Sequence, residues 1–209
     1  MLDAPMRKLI DPPLDRLAAF VARTGISANA LTVTGFVVGM AAVPALAFQE
    51  YMAALGLILV NRLFDGLDGA VARRNGLTDL GGFLDICLDF IFYAGVVFGM
   101  TLGRPADEGV YGAFLIWSFI GPIATFLAFA ILAAKHDVST DLRGQKSLYY
   151  LGGLAEGTET LIAFILFCLF PAWFPVVCVV YGIMCWITAG TRIAAAAAYF
   201  AKSKKTAGE

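Results

Sequence analysis

Six long apolar stretches, separated by short polar breaks, constrain this chain more than any other feature. Each can cross about 30 Å of hydrocarbon as a helix that rises about 1.5 Å per residue. The chain of 209 residues is 60% hydrophobic and 15% charged, which is far more apolar than a soluble domain of this size needs. The predicted spans cover residues 31–49, 52–75, 81–103, 110–134, 149–170 and 173–200. The sequence therefore predicts an all-α integral membrane protein with six transmembrane helices.

The segment before the first span mixes apolar and basic residues. This pattern predicts an amphipathic helix at residues 6–24 that lies on the inner leaflet, with a solvated tail as the alternative. Pro12 and Pro13 are expected to interrupt this helix early. The predicted domains are the juxtamembrane segment 1–30, the six-helix transmembrane domain 31–200 and the basic cytoplasmic tail 201–209.

Basic residues concentrate in alternate connections along the chain. They occur in the N-terminal segment, in the connection between the second and third spans, in the loop between the fourth and fifth spans, and in the tail, whereas the opposite side offers only Arg104. By the positive-inside rule, both termini and the turn between the second and third spans face the cytoplasm. The formal net charge of -1 provides no global basic field, so we expect no nucleic-acid partner.

Four aspartates lie inside the second and third spans. Asp65 and Asp68 are three residues apart, and Asp85 and Asp89 are four apart, so each pair shares one helix face. An antiparallel hairpin that turns at residues 76–77 would bring the four together as two tiers at matched depths. A carboxylate in a membrane helix costs about 2.5–3.5 kcal/mol on insertion scales, so the four require a compensating ligand. Two divalent cations are the natural candidates.

Oxygen ligands of this kind favour Mg²⁺ or Mn²⁺ over zinc. Two such ions near basic groups favour phosphoryl transfer, with one carboxylate accepting the proton of the nucleophile. Asn61 and Arg62 precede Asp65 by about one turn and are predicted to orient it. The alternative is a membrane cation transporter that uses the acidic cluster as an ion pathway, although transporters favour discontinuous helices in related halves. A catalytically silent scaffold would leave four buried carboxylates unexplained.

The string D-x2-D-G-x2-A-R-x7-G-x3-D-x3-D, from Asp65 to Asp89, resembles the signature of the CDP-alcohol phosphatidyltransferases. That family more commonly has eight residues between the Arg and the Gly; here there are seven, and the shortening falls in the turn. Residues 25–32, Gly-Ile-Ser-Ala-Asn-Ala-Leu-Thr, resemble the family's stretch before its first span, with Ala28 in place of the usual proline. The later part of the chain is similar to a little-characterised bacterial branch of the family.

The resemblance implies a reaction and a set of site residues. An alcohol would attack the lipid-linked phosphate of CDP-diacylglycerol, and CMP would leave. Asp89 would join the metal ligands and also deprotonate the alcohol. The implied metal ligands are Asp65, Asp68, Asp85 and Asp89, and the implied CDP-lipid-binding residues are Gly69, Ala72, Arg73, Gly81, Asn29 and Thr32. The resemblance further implies a homodimer in the bacterial inner membrane, in contact with membrane lipids.

Four residues are candidates to bind the acceptor alcohol. Lys146 and Arg192 are candidates to meet a phosphorylated acceptor, while a membrane anchor and snorkelling to the interface are their respective alternatives. Glu156 and Glu159 are predicted to be intramembrane carboxylates one turn apart. They would bind a polyol, neutralise an amine head group, or form structural pairs with Arg192 or Arg62.

Overall fold

Every regular element in the part of the chain that the structure describes, residues 3–135 and 153–206, is a helix. The structure is a computed structural model. Its α-helices are α1 Asp3–Arg23, α2 Ala28–Met40, α3 Ala42–Ala47, α4 Tyr51–Asn75, α5 Asp79–Gly103, α6 Pro105–Lys135, α7 Gly157–Leu169 and α8 Phe174–Thr206. A short 3₁₀ turn, Pro171–Trp173, joins α7 to α8.

Four helical segments of the described residues are long and apolar enough to cross a membrane. They are Ala28–Ala47, Asp79–Gly103, Pro105–Ala133 and Pro171–Phe200. The helix α4 has 25 residues but carries the charged residues of the predicted site, whereas α7 has only 13 and is about 20 Å long. By length and composition these are the helices of a membrane protein.

Two prolines near the N-terminus do not interrupt α1, so that prediction was wrong. The helix runs through Pro12 and Pro13, although neither can donate a backbone hydrogen bond. Leu14 and Ala18 are buried in a small core against α4, and this packing compensates for the missing bonds. Pro44, in contrast, does coincide with a break: α2 ends four residues before it, where the proline ring would meet the preceding turn.

The predicted fifth span, residues 149–170, begins later than expected. Residues 149–152 lie outside the described residues, residues 153–156 are not helical, and α7 starts only at Gly157. The backbone N–H groups of Leu154 and Ala155 donate to Thr188 Oγ1 on α8, at 2.9 and 3.0 Å, instead of entering a helix. A long-range contact has therefore replaced the helix that local hydropathy predicts.

The helices α4 and α5 form the antiparallel hairpin that the sequence predicts. The chain leaves α4 through Gly76 at φ +105°, a conformation that favours glycine, and Thr78 caps the start of α5. The C-terminal half of α5 lies close to α3: a Cβ on Gly99 would be 2.7 Å from the Val43 carbonyl oxygen. The helices α2, α3 and α6 pack along the hairpin, α7 packs on α4, and α8 packs on α6. The main core includes Leu46, Ile58, Phe92, Val96, Leu115, Phe164, Phe167, Phe174 and Cys178.

Candidate metal centre and its flanking cavities

The hairpin brings three of the four predicted aspartates into one cluster, and the fourth, Asp68, lines the small cavity beside them. Carboxylate oxygens of Asp65, Asp85 and Asp89 all lie within 4.8 Å of one another. Asp68 lines the same small cavity, of about 10 Å³, as the other three. Its Oδ2 atom is buried and has no hydrogen-bond partner among the described residues, and the residue as a whole is 5% exposed. Leaving a buried carboxylate oxygen without a partner is costly, and an all-oxygen donor set of this kind suits Mg²⁺ or Mn²⁺.

An arginine and a tyrosine donate hydrogen bonds to the Asp89 carboxylate. Arg62 Nη2 donates to Asp89 Oδ1 at 2.6 Å, and Arg62 Nη1 donates to Asp89 Oδ2 at 3.2 Å. The Tyr93 hydroxyl donates to the same Oδ2 at 3.1 Å. Arg62 Nη1 also lies 3.4 Å from Asp65 Oδ2, so the arginine spans the two helices of the hairpin. Asn61, predicted to orient Asp65, instead accepts hydrogen bonds from Arg62.

A cavity of about 310 Å³ adjoins the cluster near the turn of the hairpin. It is bounded by the start of α2, the end of α4 and the start of α5. Five of the six predicted CDP-lipid residues line it: Asn29, Thr32, Gly69, Ala72 and Gly81. The sixth, Arg73, is half exposed, with its Nη2 3.8 Å from Asp15 Oδ1 and its Nη1 3.5 Å from the position of a Cβ on Gly69. Asp68 and Asp85 form the wall that this cavity shares with the carboxylate cluster.

A second cavity, of about 330 Å³, lies on the side of α6, α7 and α8. Asp85 and Asp89 line it, and so do Glu156 and Arg192. Asp85 therefore borders both large cavities, and the carboxylate cluster lies where they meet. The hydroxyl groups of Thr160 and Tyr181, which are 2.5 Å apart, also belong to the lining.

Of the four residues predicted to bind the acceptor, Glu156 and Arg192 line the same cavity. Glu156 lies at the start of α7, where its Oε1 accepts a hydrogen bond from the Gly153 N–H at 2.9 Å. Arg192 donates to the Pro122 carbonyl at 3.2 Å and interacts electrostatically with Glu156. Glu159 lies in the first turn of α7, next to Thr160. Lys146 lies outside the described residues.

Comparison with known proteins identifies the family. The sequence model described as CDP-alcohol phosphatidyltransferase matches residues 25–197. The chain belongs to the CDP-alcohol phosphatidyltransferase family. This phosphatidyltransferase is 51% identical to the inner membrane protein YnjF of Escherichia coli K12, over 92% of the chain and 94% of that protein. It is 30% identical to the archaetidylinositol phosphate synthase of Pyrococcus horikoshii, over 90% of the chain and 93% of the relative.

Solved structures share the fold. The phosphatidylinositol phosphate synthase of Mycobacterium tuberculosis with CDP-diacylglycerol bound matches with a TM-score of 0.67 at 21% identity, over 87% of the chain and 92% of that structure. The same enzyme in complex with manganese and citrate matches with a TM-score of 0.63 at 21% identity, over 87% and 88%. The prediction of a transferase of phospholipid biosynthesis in a membrane is thus confirmed by the family.

Two features of the phosphatidyltransferase site were missed or misread from the sequence. Tyr93 was not singled out, although it follows Asp89 by four residues and so shares its helix face. Arg62 does contact Asp65, as predicted, with its Nη1 3.4 Å from Asp65 Oδ2, but its two-bond contact with Asp89 was not predicted from the sequence. The relative rotation of α4 and α5 decides this contact, and spacing along one helix does not reveal it.

Proposed function

We propose that the chain transfers a phosphatidyl group from CDP-diacylglycerol to an alcohol acceptor, with release of CMP, at a site that holds two divalent ions. The observation that carries this proposal is the position of the carboxylate cluster between two large cavities, with Asp85 bordering both. A transferase needs one compartment for the donor and one for the acceptor. CDP-diacylglycerol bound to the similarly folded synthase of Mycobacterium tuberculosis supports this choice of donor.

The cavity near the hairpin turn suits the CDP group. Two helix N-termini border it, those of α2 and α5, which are capped by Ser27 and Thr78. The partial positive charge of helix N-termini favours the pyrophosphate of the donor. Gly69, Ala72 and Gly81 would leave room for the nucleotide. Arg73 would exchange its exposed ion pair with Asp15 for a phosphate oxygen, because exposed ion pairs are weak.

The second cavity would hold the acceptor, with Asp89 as the base. Asp89 lines this cavity, which supports a role for its carboxylate in taking the proton of an acceptor hydroxyl. The alcohol oxygen then forms a bond with the lipid-linked phosphorus as the bond to CMP breaks. Asp65, Asp68, Asp85 and Asp89 would hold Mg²⁺ or Mn²⁺, which would neutralise charge on the attacking and leaving oxygens.

Glu156 and Arg192 are proposed to contact the acceptor, since both line its cavity. Lys146 and Glu159 stay candidates for the same role. One relative and one structural neighbour bear names of synthases of inositol phosphate lipids, so a phosphorylated polyol is the first acceptor to test.

We further propose that the chain has six spans. These are the four long apolar segments together with α4 and α7. In this arrangement α1 lies on the inner leaflet, where Leu9, Leu17 and Phe20 are exposed for contact with lipid. Both termini and the site would face the cytoplasm of a bacterial inner membrane, and the protein would form a homodimer.

The test is CMP release by purified protein in detergent with CDP-diacylglycerol and Mn²⁺ or Mg²⁺. The acceptors are glycerol 3-phosphate, inositol phosphate, inositol, serine, choline and glycerol. We expect metal-dependent release that one acceptor strongly stimulates, with a matching lipid product. Asp89→Asn should lower turnover by about 10²–10⁴-fold while the protein stays folded. A protein that neither binds the donor nor releases CMP would contradict the proposal.

A further inference from the structure

Arg62 is a charged residue in the middle of α4, and its guanidinium faces the carboxylate cluster. Its two terminal nitrogens donate hydrogen bonds to the two oxygens of Asp89, at 2.6 and 3.2 Å. Nη1 also lies 3.4 Å from Asp65 Oδ2. Two-bond contacts between arginine and a carboxylate fix geometry as well as charge. Asp89 is therefore held in one orientation by a cation that belongs to the protein.

Other groups hold the guanidinium in place from behind. Arg62 Nε and Nη2 donate to Asn61 Oδ1 at 2.8 and 2.6 Å, and Asn61 Nδ2 donates to the Gly35 carbonyl at 2.9 Å. The guanidinium carbon lies 5.1 Å from the ring centres of both Phe92 and Tyr93, within the range of cation–π contacts. The Arg62 side chain is only 14% exposed. These contacts keep the positive charge at the cluster.

We infer that Arg62 is a resident cation of the site: it positions the Asp89 carboxylate and competes with divalent ions for Asp65 and Asp89. This inference rests on the proposed metal site. An ion that binds these oxygens must share them with the guanidinium and approach a positive charge a few ångströms away. That repulsion is strong in a buried site. Asp68 Oδ2, in contrast, is buried with no hydrogen-bond partner among the described residues, so it is open to the ion.

Two substitutions separate the charge from the geometry. Arg62→Gln removes both the charge and the two-bond contact, whereas Arg62→Lys keeps the charge and loses the contact. Binding of Mn²⁺ to the purified full-length protein is measured by electron paramagnetic resonance. We expect Arg62→Gln to bind Mn²⁺ at least about tenfold more tightly than the unmodified protein, because the competing charge is gone. Arg62→Lys should bind Mn²⁺ within about threefold of the unmodified protein, because its charge is retained.

Turnover should respond to geometry instead. Both variants should release CMP at least about tenfold more slowly at saturating substrates, because the Asp89 carboxylate is no longer fixed. KM for CDP-diacylglycerol should not change in either variant, since Arg62 lies outside the donor cavity. A purely structural role would not tighten ion binding while slowing turnover.

Arg74→Gln is the matched control. Arg74 is on the same helix, is exposed, and donates to the Asp15 carbonyl at 3.1 Å. Removing its charge should change Mn²⁺ affinity by less than about twofold, because exposed charges are screened. Thermal unfolding provides a second readout, because tighter binding to the folded state makes Mn²⁺ raise the unfolding temperature of Arg62→Gln more than that of the unmodified protein.

Different outcomes overturn different claims. If Arg62→Gln binds Mn²⁺ no more tightly than the unmodified protein, the claim that Arg62 competes with divalent ions is wrong. Arg62→Lys with full turnover overturns the positioning role, and this variant decides that point even if Arg62→Gln does not fold. An unmodified protein that binds no Mn²⁺ overturns the proposed metal site itself, so the two failures are distinguishable.

Discussion

A single methyl group at Gly81 tests the donor cavity. A Cβ at this position would lie 2.9 Å from Thr78 Oγ1 and 3.0 Å from Asn29 Oδ1, where ordinary contacts begin at 3.4 Å. Both Thr78 Oγ1 and Asn29 Oδ1 must therefore move away from the new methyl group by about half an ångström. Thr78 is the cap of α5 and accepts the Gly81 N–H at 3.0 Å, and Asn29 lines the proposed CDP cavity.

The effects of Gly81→Ala on stability nearly cancel. Alanine in place of glycine gains at most about 0.8–1.0 kcal/mol, the value for a helix interior, because Gly81 lies in the first turn of α5, while a weakened cap costs about 0.5–2 kcal/mol. Donor binding has no opposing gain, because the displaced Asn29 would no longer contact the bound donor. We expect KM for CDP-diacylglycerol to rise about tenfold, which corresponds to about 1.4 kcal/mol, with KM for the acceptor unchanged.

The assay is CMP release in mixed micelles with each substrate varied in turn. Gly56→Ala is the matched control: Gly56 is an exposed helical glycine of α4, and a Cβ there would meet no atom within 4 Å. This variant should also gain helix propensity and should leave both KM values unchanged. The reasoning is refuted if Gly81→Ala keeps a donor KM within about twofold of the unmodified protein, or if Gly56→Ala raises it equally.

Two further substitutions test the cluster and the acceptor cavity. Asp68→Asn removes the negative charge of a carboxylate that lines one small cavity together with Asp65, Asp85 and Asp89, so the metal-free protein should unfold at a higher temperature and should lose most of its stabilisation by Mn²⁺. Thermal unfolding with and without Mn²⁺ measures both effects, and lower stability without metal would argue against them. Glu156→Gln keeps an oxygen that can accept the Gly153 N–H but removes the charge from the acceptor cavity. The acceptor KM should change severalfold with no change in the donor KM, and equal changes in both would count against acceptor binding there.

The carboxylate cluster was predictable because it depends on local periodicity. Asp65 and Asp68 share one helix face by their spacing, Asp85 and Asp89 share another, and a short turn leaves few ways to align the two helices. The structure accordingly brings oxygens of Asp65, Asp85 and Asp89 within 4.8 Å. The turn itself, at Gly76, was also predictable from the polar break between the spans.

The remaining features depend on contacts between residues that are distant in sequence. The two-bond contact of Arg62 with Asp89 joins positions 27 residues apart, and it requires the relative rotation of two helices. Residues 153–156 are apolar enough for a helix, but Thr188, more than 30 residues away, accepts the Leu154 and Ala155 N–H groups. Hydropathy averages over a window and does not include such partners. The cavity proposed for the acceptor could not be predicted for the same reason, since residues of four helices line it.

The most direct test of the proposed site is to locate manganese in crystals of the protein grown with Mn²⁺ and CDP-diacylglycerol. Anomalous scattering at the manganese edge identifies the ions independently of any assumed ligand. We expect two peaks, about 3.5–4 Å apart as in other two-metal sites, among the carboxylates of Asp65, Asp68, Asp85 and Asp89. A map with no peak at these carboxylates, while CDP-diacylglycerol is bound, would contradict a metal-dependent transferase built on this cluster.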